Sequence, residues 1–349
     1  MENYRMFTAG HINGKITKNR IIRSATNDHL GNPDGTVSDA EIRMYEALAS
    51  NDVGTIITGH LRVAPYLALR ADKVQPSIGA DRYIDGLRRI ASKIHEYGAI
   101  AIAQISLAGP KGLNPFDFND LTTEEIEQIR DWFIAAAKRA HAADFDGVQI
   151  HLAHWYLLQS VLNIDVNKRT DKYGGSPENC LRLPLEIVDG VRKISPENFA
   201  VTVKMNVHNT LRGSDDSELL AYYASKLTQA GIDLVELSGS DFNHKDRKAE
   251  LYYLVEARKL KESHPEILMS LVGGIFSKET IENALEVTEF ASLSRTLLTE
   301  PDFIRKLKEG AETKSRCIHC NKCFEIFATK YERCVFGPVI PKLEQTFGI

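Results

Sequence analysis

The feature that most constrains this chain is a phrase it repeats: a short β-branched run, a loop, then a longer amphipathic stretch rich in Ala, Leu, Glu and Lys. Eight strand candidates follow from it: Arg20–Ser24, Thr55–Thr58, Ile100–Ile105, Gly147–Ile150, Ala200–Met205, Leu234–Leu237, Ile267–Leu271 and Phe290–Leu293. Each is short and apolar on both faces, as buried parallel strands must be. The clearest helices between them are Asp39–Ser50, Asp81–Tyr97, Thr123–Ala143, Pro177–Ile194 and Asp215–Ala230. Thr122-Thr123-Glu124-Glu125 and Ser214-Asp215-Asp216 supply capping-type starts, and Gly98 and Gly231 follow helix ends.

Regular alternation implies a parallel sheet, either open and doubly wound or closed into a barrel. Eight units with no linker between halves favour closure. The turn after the first strand, Arg23-Ser24-Ala25-Thr26-Asn27, also lacks the glycines of a dinucleotide-binding open sheet. The expected architecture is α/β, a (β/α)8 TIM barrel over residues 1–313. Residues 314–349 change character, carrying four of the five cysteines with Gly337-Pro338 and Pro341. They read as a short C-terminal extension packed on the barrel, with a ligand pattern of thiols rather than a disulfide framework.

A net charge of −4 provides no global positive field, which argues against nucleic acid and anionic lipid as partners. No run reaches the roughly 18 apolar residues of a membrane span, and Met1–Gly14 has no apolar export core, so a cytoplasmic protein is expected.

Barrel enzymes place their chemistry at the carboxyl ends of strands. The fourth strand runs into His151-Leu152-Ala153-His154-Trp155-Tyr156. Two neutral imidazoles could polarise one carbonyl or nitro oxygen, and the phenol could protonate a developing carbanion. Satisfied loop histidines beside a packing tyrosine fit the spacing as well, and His-x-x-His can ligate zinc, although no third ligand is evident nearby. Gln104 and Lys204 are odd choices inside a merely structural barrel, where buried polar groups cost free energy unless paired. Leu271-Val272-Gly273-Gly274-Ile275 and Leu293-Ser294-Arg295 have the layout of a phosphate site: glycines permit close backbone approach and Arg295 can neutralise charge.

The run from Gly147 to Arg182, with the His-Leu-Ala-His-Trp-Tyr segment and then Asn167-Lys168-Arg169-Thr170-Asp171-Lys172-Tyr173-Gly174-Gly175-Ser176-Pro177-Glu178-Asn179, resembles the signature of the old yellow enzyme family. Lys18-Asn19-Arg20-Ile21-Ile22-Arg23-Ser24-Ala25-Thr26 resembles that family's first-strand motif in its bacterial NADH:flavin oxidoreductase members. The resemblance spans essentially the whole barrel. It implies bound FMN, NADH or NADPH as co-substrate, His151 and His154 on the acceptor oxygen, and Tyr156 as proton donor. It also implies Gln104 on the flavin pyrimidine edge, with Lys204 where the family usually has an arginine. Gly273, Gly274 and Arg295 would clasp the phosphate, with Ser294 replacing a glycine. Ser24, Ala25, Thr26 and Asn27 would lie along the ring, and Gly59 and Ser238 complete the implied cofactor set.

Two departures shape the expectation. Ser106-Leu107-Ala108-Gly109-Pro110-Lys111-Gly112 replaces a histidine-containing motif and long loop, so the pocket should be more open or be closed by another subunit of a homo-oligomer. Trp155 replaces a customary small residue beside Tyr156. In the extension, Cys317-Ile318-His319-Cys320-Asn321-Lys322-Cys323 and Cys334 resemble the iron–sulfur segment after the barrel of trimethylamine dehydrogenase and 2,4-dienoyl-CoA reductase. Four thiolates suit a [4Fe–4S] cluster or zinc, and a metal-free relic is the third reading; His319 reads as a surface residue.

The expected activity is ping-pong reduction of small activated alkenes or quinones by NAD(P)H through FMN. Its rivals are an amine or enoyl-type oxidoreductase passing electrons through the cysteines to a partner protein, and a flavin-binding electron-transfer module without its own turnover.

Overall fold

The computed structural model describes residues 4–65, 75–108, 117–210, 216–242, 244–323 and 334. The chain opens with an antiparallel hairpin, β1 (Gly10–Ile12) and β2 (Lys15–Thr17), turned by Asn13 and Gly14 at φ 46° and 74°. The barrel then follows as β3 (Ile21–Arg23), β4 (Thr55–Ile57), β6 (Ile100–Ser106), β7 (Gly147–Leu152), β8 (Ala200–Asn206), β9 (Leu234–Ser238), β10 (Met269–Val272) and β11 (Phe290–Leu293), with a short accessory strand β5 (Leu61–Arg62) against the end of β6. All barrel pairings are parallel, and pairing of β4 with β6 closes the ring. The eight predicted strands are these eight, in this order.

The predicted helices form as α1 (Asp39–Ala49), α2 (Ile84–His95), α3 (Thr123–Ala142), α5 (Pro177–Ile194) and α6 (Ser217–Gln229), with α4 (Leu157–Leu162) directly after β7. Thr122 and Glu125 make the capping box at the start of α3, and Ser176 caps α5 ahead of Pro177. Gly98 and Gly231 take the left-handed φ values of helix-ending residues, 67° and 108°. The expected helix over 81–97 begins instead as a 3-10 turn at Asp81–Tyr83. Of the capping residues proposed before α6, Ser214 and Asp215 lie outside the described residues, and Asp216 makes no side-chain cap.

Two apolar layers hold the barrel. The larger lies between strands and helices, while Ile12, Ile22, Ile57, Ile100, Ile102, Leu234 and Phe290 form a separate cluster, with Ile100, Leu234 and Phe290 at the starts of their strands. Ile12 belongs to it, so the hairpin plugs the bottom of the barrel and leaves the top for chemistry. Among the described residues no helix is long and apolar enough to cross a membrane.

At the start of β7 the sheet admits only glycine, because a Cβ on Gly147 would stand 2.2 Å from the Ala200 carbonyl oxygen. Gly147→Ala should cost about 1–3 kcal/mol of stability, read as a lower urea midpoint with little change in the site far above it.

Candidate active site

Parallel register decides which side chains meet at the top of the barrel. Gln104 pairs with Gln149, His151 with Lys204, and Lys204 with Glu236. Gln104 donates to Gln149 (2.7 Å), Gln149 donates to Glu236 (3.1 Å), and Lys204 Nζ stands 3.4 Å from the same Glu236 oxygen while donating to Ser24 Oγ at 2.7 Å. Lys204 and Glu236 are 3% and 0% exposed, so each charge depends on the other in a medium that stabilises neither alone. Burial lowers the Lys204 pKa and the Glu236 carboxylate opposes that shift.

Beyond β7 the backbone turns sharply. His154 and Trp155 both adopt positive φ, 60° and 63°, a conformation that costs L-residues roughly 1–2 kcal/mol each. The turn is held by the His154 N–H on Asn206 Oδ1 at 3.3 Å and the Leu157 N–H on the Leu107 carbonyl at 3.0 Å. It folds three rings together: His151 lies 5.2 Å from His154 and 4.5 Å from Tyr156, centroid to centroid. His154 Nε2 bonds Ser238 Oγ at 2.9 Å, whereas buried His151 Nδ1 has no protein partner.

These residues line one cavity of about 240 Å³, together with Ala25, Thr26, Asn27, Gln104, Lys204, Ser238, Gly273, Gly274, Ser294 and Arg295. Ser24 and Gly59 do not line it. Ser24 is the acceptor behind Lys204, and the Gly59 N–H is turned to the Tyr45 hydroxyl at 2.8 Å. Gly273 and Gly274 have φ of 124° and 68°, and a Cβ on Gly274 would lie 2.6 Å from the Leu251 nitrogen. Arg23 donates to Thr26 Oγ1 and to the Ser294 carbonyl, and Thr26 Oγ1 meets Ser294 Oγ at 2.8 Å, tying the ends of β3 and β11 together.

Several lining groups escape sequence reasoning, His60, Phe242 and His319 among them. His60 bonds Ser106 Oγ at 2.9 Å and stands edge-on to Tyr156 at 5.1 Å; its place just after the second strand was the available signal. Phe242 packs on His154 at 5.7 Å from an irregular segment with no periodicity. His319, expected at the surface, is only 4% exposed and lines the cavity, because the cysteine segment folds back over the ends of β10 and β11. Residues 109–112 of the altered third loop lie outside the described residues.

Cys317, Cys320, Cys323 and Cys334 line a second, smaller cavity, of about 20 Å³, that shares Arg295 and His319 with the first. Among the described residues, no three His, Cys, Asp or Glu side chains converge closely enough to hold a single metal ion. Tetrahedral zinc requires all four sulfurs about 2.3 Å from one atom, whereas a four-iron cluster takes one thiolate per iron and needs them spread around a cavity.

Sequence comparison decides the family. A profile described as the NADH:flavin oxidoreductase / NADH oxidase family matches residues 113–314. The chain belongs to this family. The NADH oxidase of Thermoanaerobacter brockii is 30% identical over 96% of the chain, which spans 56% of that relative's length. The NADPH dehydrogenase of Bacillus licheniformis is 29% identical over 90% of the chain and 97% of its own. The old yellow enzyme homologue from Zymomonas mobilis shares the fold, with a TM-score of 0.74 at 21% identity, covering 93% of this chain and 96% of the homologue. The chain thus has the family and the barrel that its sequence predicts, and the solved homologue shares that fold.

The residues present suit FMN. Gly273 and Gly274, pressed at positive φ against Leu251, Tyr252 and Tyr253, put bare backbone on the cavity wall, and buried Asn27 Oδ1 and His151 Nδ1 face the requirement of a bonding partner that the protein itself does not supply.

Burial, then Lys204, lowers the His154 pKa from 6.5 to about 3, and burial, then His154, depresses His151 well below its ordinary value. From pH 6.5 down to about 3 the unfolded chain therefore binds a proton at His154 that the folded chain refuses. Its burial is harmless above that window and destabilising within it. His154→Asn, which keeps a residue tolerant of positive φ, should lose less stability than the parent on acidification, seen in urea midpoints at about pH 7 and about pH 5.

Proposed function

We propose that the chain catalyses FMN-dependent reduction of activated alkenes, conjugated to a carbonyl or nitro group, and of quinones, at the expense of NADH or NADPH. The observation that carries this reading is the triad of His151, His154 and Tyr156 gathered over a cavity that also holds Gln104, Lys204 and the diglycine. FMN, when bound, supplies hydride chemistry, accepting from the nicotinamide and giving to the acceptor in the same pocket, which makes the kinetics ping-pong.

The protein's part is binding, charge and protons. Gln104 and Lys204 hold the pyrimidine edge of the cofactor, where a buried cation favours the electron-rich form. Gly273, Gly274, Ser294 and Arg295 receive its phosphate. His151 and His154, kept neutral by burial, donate hydrogen bonds to the acceptor's carbonyl or nitro oxygen without carrying charge into the site. Polarisation makes the β-carbon electrophilic, and Tyr156 protonates the α-carbon. No Asp or Glu is among the described lining residues, so the cavity suits neutral or anionic acceptors and leaves a protonated amine without a counter-ion.

Tyr156→Phe should slow alkene reduction by about 10²–10³-fold. Flavin reduction by NAD(P)H should persist in it, and so should quinone reduction, whose oxygens take protons directly from water. Stopped-flow measurement of both half-reactions checks this, and undiminished alkene turnover would remove Tyr156 from the mechanism.

The four cysteines around one cavity favour a second reading for the extension, in which a [4Fe–4S] cluster held by Cys317, Cys320, Cys323 and Cys334 exchanges electrons with another protein. Anaerobically purified protein should then contain about four irons and four acid-labile sulfides per chain. Stoichiometric zinc, or no metal, would refute it.

A further inference from the structure

His319 occupies an expensive position. It has a positive φ of 50°, is 4% exposed, and presents an imidazole into the flavin cavity beside Gly273, Gly274, Ser294 and Arg295. Strained backbone and a buried polar ring both cost free energy, and such features persist where the surrounding structure holds them for use. The ring is clamped edge-on by Phe276 at 4.4 Å, just past the diglycine, and lies 6.5 Å from Tyr252. Tyr252 in turn accepts from Arg295 at 3.4 Å.

A neighbour in the same loop reinforces the placement. Asn321, also at positive φ, accepts through Oδ1 from Arg295 Nη1, so the guanidinium expected at the phosphate is oriented by the cysteine loop. The base of that loop is fastened to the barrel. Buried Glu300 accepts from Ser315 Oγ (2.7 Å), from the Arg316 N–H (2.6 Å) and from Arg316 Nε (2.7 Å). The Ser315 N–H donates to the Phe276 carbonyl at 2.8 Å.

We propose that His319 is a phosphate-binding residue of the flavin site, carried into it by the cysteine loop, so that loop and cofactor hold each other in place. The imidazole's single N–H, which meets the Arg247 backbone in this structure, turns to donate to a phosphate oxygen when the cofactor binds, and Asn321 acts as a positioning residue through Arg295. Because coupling is reciprocal, whatever orders the loop tightens the cofactor, and bound cofactor orders the loop. The inference rests on the FMN reading above.

The test compares FMN with riboflavin, which lacks the phosphate, by fluorescence titration of the flavin-stripped full-length protein. His319→Ala should weaken FMN binding about ten- to a hundredfold and change riboflavin binding less than about twofold. His319→Gln, which keeps a donor, should recover part of the loss, whereas a purely packing role would leave the two variants alike. Asn321→Ala should show the same bias at smaller size. Equal losses for both ligands, or none, would overturn the proposal while leaving the flavin assignment intact. Failure of the parent protein to bind FMN would overturn both. Should the alanine variant fail to fold by circular dichroism, the FMN-to-riboflavin ratio of the glutamine and Asn321 variants decides.

Discussion

In a closed parallel barrel there is no free edge, and one ladder of hydrogen bonds sets the direction of every inward side chain. The register that puts Lys204 opposite both His151 and Glu236 is therefore the constraint on which the site depends. A slip of one residue would turn Lys204 and Glu236 toward the helices, where neither has a partner, and would take His151 out of the cavity. The buried pair also sets the electrostatics above it. Lys204 helps depress the pKa of both histidines, while Glu236 opposes the downward pull of burial on that lysine.

Strain concentrates immediately above this layer. His154 and Trp155 at positive φ bring Tyr156 back over His151, and Trp155, the residue that departs from the family pattern, takes part in the turn without entering the described cavity lining. At the other end of the cavity the diglycine and Arg295 are joined by a segment the barrel itself does not provide. The cysteine loop thus belongs to the site as well as to the tail, which is why the two cavities share His319 and Arg295.

Much of this was legible in the residues. Buried strands, helix caps and terminal glycines are local signals, and each appears close to its expected place. Boundaries differ by two or three residues where a local turn or pairing with a distant segment sets them, as for α2, which starts at Ile84 rather than Asp81, and β10, whose ladder starts at Met269 rather than Ile267. The opening hairpin carried a usable Asn13-Gly14 turn signal that is easily passed over in so short a pair of strands.

By itself the sequence determined the eightfold order of elements, the family, and the identity of the groups at the strand ends, because periodicity and motif are written along the chain. Only the tertiary structure decided which of those groups meet. Ser24 stands behind Lys204 as its acceptor and the Gly59 N–H is held by Tyr45, so neither is among the described lining residues, whereas His60, Phe242 and His319 enter the cavity from segments far apart in sequence. The physical reason is that barrel register and loop return bring together residues hundreds of positions apart, and no local pattern encodes that distance.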